Sequence, residues 1–82
     1  MDYIVYILKC SDDTLYTGIT NNLAKRLKIH SIGKGSKYVK ARRPFVLVYT
    51  EKGYNKSEAL KREYVIKKLS RKKKLNLIKD QW

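Results

Sequence analysis

Tyr3-Ile4-Val5-Tyr6-Ile7-Leu8-Lys9-Cys10-Ser11-Asp12-Asp13-Thr14-Leu15-Tyr16-Thr17-Gly18-Ile19-Thr20 is the stretch whose reading decides the fold. Tyr3 to Lys9 is apolar on both parities, which predicts a strand covered on both faces. Ser11-Asp12-Asp13 is turn chemistry. Thr14 to Thr20 is rich in β-formers and predicts a second strand, so the two make a hairpin. The register has two solutions. A three-residue loop sets Cys10 against Thr14, Tyr6 against Gly18 and Tyr16 against Leu8, with both phenols on one face and open space at Gly18 beside Tyr6. A four-residue loop puts the two tyrosines on opposite faces. The stretch alone leaves both open.

Outward from the hairpin, Thr20-Asn21-Asn22 offers a helix cap. A helix is expected over Leu23 to His30, with Leu23 and Leu27 inward and Arg26 and His30 flanking them four apart. Gly33-Lys34-Gly35-Ser36-Lys37 is a loop that lacks phosphate-loop spacing. Tyr38 to Arg43 is either irregular or a short helical turn. Pro44 opens a third strand, Phe45 to Thr50, closed by Lys52-Gly53-Tyr54. Asn55 and Glu58 form a capping box for a helix over Ser57 to Leu69. Ser70 breaks it, and Arg71 to Asp80 forms a third helix with Leu75 and Ile78 inward. The fold class is α/β: a small three-stranded, mainly antiparallel sheet flanked by helices, in the order β-β-α-β-α-α.

Glu63 is the residue out of place. At about 100° per residue it falls between Ala59 and Leu60, close to Ile66, on the apolar stripe. A carboxylate there is costly unless paired. A metal ion or a nearby base would pair it, and an i,i+4 contact with Lys67 is the plainer alternative.

The 82 residues predict one domain, spanning 1–82, with a thin core. Net charge is +13, from 20 Lys and Arg against 7 Asp and Glu. That balance points to a polyanionic partner, nucleic acid before an anionic membrane. No segment reads as a secretory signal or a membrane span. The lone Cys10 has no disulfide or metal partner and is expected to be buried. A cytoplasmic monomer is the expectation. Lys34, Lys37, Lys40, Arg42 and Arg43 form one candidate nucleic-acid-binding group. Lys67, Lys68, Arg71, Lys72, Lys73 and Lys74 form another. A solvated face is the bland account of either.

The chain resembles the GIY-YIG nuclease superfamily. Ile4-Val5-Tyr6 matches its first motif and Tyr16-Thr17-Gly18 its second. Arg26 matches the basic helix, His30 matches a branch that carries histidine there, and Glu63 matches the catalytic glutamate. The likeness is to the small single-domain bacterial group, from about Tyr3 to Leu75, including Gly33-Lys34-Gly35 and Arg42-Arg43-Pro44. Ile4 replaces the usual glycine, and Asn76 is the candidate for an asparagine found in larger members.

The resemblance implies phosphodiester hydrolysis with one Mg²⁺ or Mn²⁺ held by Glu63. It implies that Arg26 holds the phosphate. Tyr6 orients or deprotonates water, with nearby cations favouring its phenolate. Tyr16 positions water or phosphate, and His30 relays protons. Taken singly, each has a duller account: Tyr6 and Tyr16 as core tyrosines, Gly18 as close packing, Arg26 as a solvated helix residue, His30 as a helix-end residue. The functional expectation is a metal-dependent endonuclease, with DNA favoured over RNA and targeting left to this surface or a protein partner. Its rivals are a binding module with the same fold and little or no cleavage, and an RNA- or ribosome-associated basic protein.

Overall fold

The computed structural model describes residues 2–81. Met1 and Trp82, the ends of the expected domain, lie outside the described residues. The elements are β1 (Tyr3–Cys10), β2 (Leu15–Thr20), α1 (Leu23–Ser31), α2 (Lys37–Ala41), β3 (Phe45–Tyr54), α3 (Lys56–Lys68) and α4 (Arg71–Gln81). The sheet is antiparallel, in the order β2-β1-β3. β1 is therefore central, which is why its apolar residues alternate with nothing: both faces are covered. Val5 and Ile7 face one core with Tyr49, Ala59 and Ile66, and Leu77 and Ile78 of α4 pack against it. Tyr6 and Leu8 face the other core with Val39, closed by Leu23 and Leu27 of α1 and by Phe45 and Leu47.

The hairpin takes the three-residue loop, with Tyr6 paired to Gly18 and Leu8 to Tyr16. Local chemistry explains the choice. Asp13 adopts φ 66°, in the left-handed region that Asp tolerates. Its N–H donates to the Cys10 carbonyl at 2.9 Å. The Asp12 carboxylate accepts from the Thr14 hydroxyl at 2.6 Å and the Thr14 N–H at 3.2 Å.

Caps set the helices. The Asn22 side chain accepts from the Lys25 N–H at 3.1 Å, and the Asn55–Glu58 box forms in both directions. Tyr38 to Arg43 resolves into a helical turn, α2, because the Ser36 hydroxyl caps it on Val39.

β3 departs from expectation. It runs past Thr50 to Tyr54, so that Tyr54 pairs with Tyr3. Ile7 pairs with Tyr49 but Leu8 with Leu47, so Val48 is an extra residue. This bulge reverses the parity of the strand. Phe45 and Leu47 serve one core and Tyr49 the other. Two helix residues are also placed differently. Leu60 is 46% exposed and Leu75 42% exposed, and the inner position on α4 expected of Leu75 belongs to Leu77. On α4 the last turn is anchored by Gln81, whose side-chain amide pairs with both the N–H (3.0 Å) and the C=O (2.6 Å) of Thr50 on the edge strand and so fixes the roll of that helix.

α3 is held by a carboxylate. Glu51 of β3 accepts hydrogen bonds from the Tyr49 hydroxyl, the Tyr54 hydroxyl (2.8 Å) and both Nε (2.8 Å) and Nη2 (2.9 Å) of Arg62. Burial pushes Glu51 upward, but the hydrogen bonds from Arg62, Tyr49 and Tyr54 outweigh it and hold the carboxyl below its ordinary range. Burial, then Glu51, pushes the Tyr49 phenol up to about 12. Arg62→Met removes the two-pronged partner and leaves a half-buried carboxylate under-satisfied. It is expected to cost roughly 1–3 kcal/mol of unfolding free energy by urea denaturation.

Candidate active site

The hairpin register puts Tyr6 and Tyr16 on the same face. Gly18 lies directly across from Tyr6, and a Cβ there would come within 2.5 Å of the Tyr6 hydroxyl and 2.7 Å of Cζ. The space expected beside Tyr6 is thus filled by its own phenol, which lies across bare backbone. In that position Tyr6 Oη is 2.9 Å from Nε2 of His30, in the last turn of α1. Both side chains are only 1% exposed. The Gly35 backbone packs flat on the imidazole, since a Cβ there would sit 2.7 Å from Nδ1. Phe45 meets the ring edge-on at 6.1 Å.

The direction of the Tyr6–His30 bond follows from counting partners. His30 Nδ1 is buried with no partner among the described residues. If Nε2 donated, the phenol proton and the Nδ1 lone pair would both go unused. If the phenol donates to Nε2, only one N–H is orphaned, so this assignment leaves fewer buried groups unsatisfied. Burial, then the Arg26 charge, holds His30 below the ordinary histidine range, so the ring is neutral at neutral pH. Tyr6 is pushed well above the ordinary phenol range, first by burial and then by Tyr16. Arg26 pulls it down and Glu63 pushes it up. Arg26 thus acts in the direction expected of a nearby cation, but in the protein alone desolvation exceeds its pull.

Tyr16 closes the group. Its ring centroid lies 6.4 Å from Tyr6 and 5.5 Å from His30, and it stacks on Tyr38 at 5.9 Å. The Arg42 guanidinium covers the far face of this column, 3.8 Å from the Tyr38 centroid. It is held by Asp12 at 3.0 Å and the Tyr38 carbonyl at 3.2 Å. Tyr38, Gly35, Asp12 and Phe45 were not singled out from the sequence. The spacing of Tyr38 and Arg42, four apart on a helical turn, is the signal that was available.

Arg26 sits one turn before His30, half-buried, on a polar hollow of about 180 Å³ shared with Thr20, Asn22 and Lys25. Glu63 lies between the buried Ala59 and Ile66 on α3, its side chain 19% exposed, with Oε2 3.5 Å from Lys67 Nζ. The i,i+4 pair is therefore present, and Glu63 also acts on the ionisation of Tyr6. Among the described residues there is no cluster of three or more His, Cys, Asp or Glu to cage a metal. A single accessible carboxylate does suit Mg²⁺, which keeps most of its waters and shares the rest of its shell with phosphate.

The basic residues divide. Arg43 is tied to the Lys40 carbonyl (3.2 Å) and the Ser31 carbonyl (3.0 Å), and Arg42 is tied as above. Lys68 lies 4.5 Å over the Tyr64 ring. Lys34, Lys37, Lys40, Arg71, Lys72 and Lys73 are exposed, Lys74 is half-buried, and Asn76 is exposed on α4. No helix among the described residues is long and apolar enough to cross a membrane.

This fold, with two tyrosines and a glycine on its sheet, an arginine on α1 and a glutamate on α3, defines a nuclease-family domain. The model of the GIY-YIG catalytic domain matches residues 2–76, and the chain belongs to that family. Within it, the chain is similar to small bacterial UPF0213 proteins. One from Clostridium perfringens is 58% identical, covering 99% of this chain and 86% of the relative. One from Oceanobacillus iheyensis is 54% identical, covering 96% and 92%. The solution NMR structure of the UPF0213 protein of Bacillus halodurans is 47% identical with a TM-score of 0.62, covering 96% of this chain and 84% of that one. That of an E. faecalis protein is 36% identical with a TM-score of 0.67, covering 98% and 85%.

Two outcomes follow from the Tyr6–His30 geometry. Gly18→Ala forces Tyr6 off its site and is expected to cost about 1–3 kcal/mol. Gly53 has nothing within 4 Å of an added Cβ, but its φ of 89° strains any side chain, so Gly53→Asn is expected to cost roughly 1 kcal/mol through the backbone alone; urea midpoints compare the two. For pH, the unfolded chain protonates His30 near ~6.5, whereas the folded ring resists it. The unfolded state then binds more protons below that value, so this stability is present above it and lost as pH falls. The urea midpoint should fall between about pH 7.5 and 5.5 in the wild type, and much less in His30→Gln.

Proposed function

We propose that the chain is a metal-dependent endonuclease that hydrolyses phosphodiester bonds in DNA in the cytoplasm. The observation that carries this reading is the buried 2.9 Å contact of Tyr6 with His30, placed where Arg26 and Glu63 both act on the phenol. A phenol held protonated is a poor base alone. Passing its proton to neutral His30 Nε2 while taking one from water avoids a free phenolate, the logic of an activated hydroxyl beside a base. Arg26 would bind the phosphate and offset its growing charge. Tyr16, fixed between His30 and Tyr38, would position the water or a phosphate oxygen. Glu63 would hold Mg²⁺ or Mn²⁺, which supplies charge stabilisation at the phosphate and the leaving oxygen. The net charge of +13 supports affinity for the polyanion.

One observation favours a second reading. Tyr6 is 1% exposed, so water reaches its hydroxyl only if substrate displaces part of the surround. A domain in which that displacement does not happen binds nucleic acid and cleaves it little or not at all.

The test is a cleavage screen over duplex, nicked, flapped, branched and single-stranded DNA, and RNA, with and without Mg²⁺ or Mn²⁺. The wild type is expected to cut DNA only with metal. Glu63→Gln is expected to fold, bind DNA and lose at least about a hundredfold in rate, the scale on which a lost electrostatic group acts. Wild-type protein that cuts nothing establishes the second reading. Glu63→Gln that cuts as fast as wild type places the activity elsewhere.

A further inference from the structure

A large hollow on the described surface lies beside the Tyr6–His30 pair rather than at it. It is a groove of about 810 Å³ between α1, α2 and the start of β3. Leu27, Pro44 and Phe45 form its apolar walls, and Lys28, Lys40 and Arg43 supply three positive charges with no carboxylate among the lining residues. Such a site suits a flat apolar group joined to an anion.

The cations are not equivalent. Arg43 is fixed: its Nε and one Nη are committed to the Lys40 and Ser31 carbonyls. Gly33, at φ 80°, makes room for it, since a Cβ there would meet the guanidinium carbon at 3.2 Å. The remaining N–H groups of the fork are thereby pre-aimed. Phe45 belongs both to the groove and to the surround of His30. Phe45, with Leu27, which packs on the core that holds Tyr6, forms a wall shared by the groove and the candidate active site.

We propose that this groove holds one unpaired nucleotide of a DNA strand, adjacent to the bond at the Tyr6–His30 site. The base lies against Phe45, Pro44 and Leu27, and the phosphates meet Arg43, Lys28 and Lys40. The proposal rests on the nucleic-acid reading above and narrows it to a substrate class. A base inside a duplex is covered by stacking and pairing, and must leave the stack to enter a pocket. A base in a single strand, flap or frayed end offers its face already, and aromatic side chains take such faces without regard to sequence. The groove therefore selects DNA with unpaired nucleotides over continuous duplex.

The experiment is an NMR titration of the full chain with the single-stranded trinucleotide pTpTpT, with the same compound made abasic at its middle residue, and with inorganic phosphate. Signals of Leu27, Ser31 and Phe45 are expected to move with pTpTpT, and the abasic compound is expected to bind roughly tenfold more weakly. Ser31 is exposed at the end of α1. Ser31→Phe, which fills the groove from that side, should abolish the difference between the intact and abasic compounds, whereas Lys40→Ala should weaken both alike. Equal binding of the intact and abasic compounds by the wild type, or shifts confined to the lysines, overturns the proposal. That comparison stands even if Ser31→Phe fails to fold. A trinucleotide seated at Phe45 supports the groove even in a protein that cuts nothing, and a protein that cuts duplex DNA without base-dependent binding retains the nuclease reading and loses the groove.

Discussion

The phenol of Tyr6 lying across the bare backbone of Gly18 is the contact on which the rest of the site depends. No residue with a Cβ fits at position 18 without displacing it. The contact exists only in the three-residue hairpin register, which Asp12 and Asp13 enforce through the turn. With the register set, Tyr16 falls on the same face, His30 meets Tyr6 from α1, and Tyr38 and Arg42 stack outward from Tyr16. A turn of three residues thus determines which side chains meet some distance away. A slip of one residue would send Tyr16 to the opposite face.

Electrostatics in this protein run on two scales. At long range the excess of twenty cations over seven anions surrounds the domain with a positive field. At short range, burial overrides it. Tyr6 resists charging against the pull of Arg26, whereas His30 resists it because burial and the Arg26 charge act in the same direction. A neutral donor–acceptor pair in a basic domain is what desolvation favours, since a lone buried charge costs more than a nearby exposed cation returns. Glu63 stands apart from that pair: its side chain reaches the surface, where Lys67 attends it.

Much of this was legible in the residues. The hairpin, the Asn55–Glu58 box and the element order follow from local chemistry: apolar parity, turn residues and caps. Tyr6, Tyr16 and His30 come together as the three-residue loop allows, one of the two registers the spacing left open. What could not be read depends on contacts distant in sequence. The Val48 bulge is set by how β3 meets β1 at both ends. The displacement of Leu75 by Leu77 follows from Gln81 gripping Thr50 across the fold. Glu51 looks like any surface glutamate until Tyr49, Tyr54 and Arg62 are found around it. Gly35 reads as a flexible loop residue, yet it is a packing surface for His30. Arg42 and Arg43, candidates for phosphate contact by their charge, also brace the aromatic column and the α1–α2 junction, which their sequence does not show.

The site stands on Tyr6 donating its proton to a neutral His30, and the ¹⁵N resonances of that single histidine report it directly. A pH titration followed by long-range ¹H–¹⁵N correlation, in wild type and Tyr6→Phe, reads the tautomer, the protonation state and the partner at Nε2. The expected result is a neutral ring at neutral pH, protonated at Nδ1 and bare at Nε2, which takes up its second proton only below ~6.5 and whose Nε2 shift moves when the phenol is removed. An imidazolium at neutral pH, or an Nε2 shift indifferent to Tyr6→Phe, would contradict it.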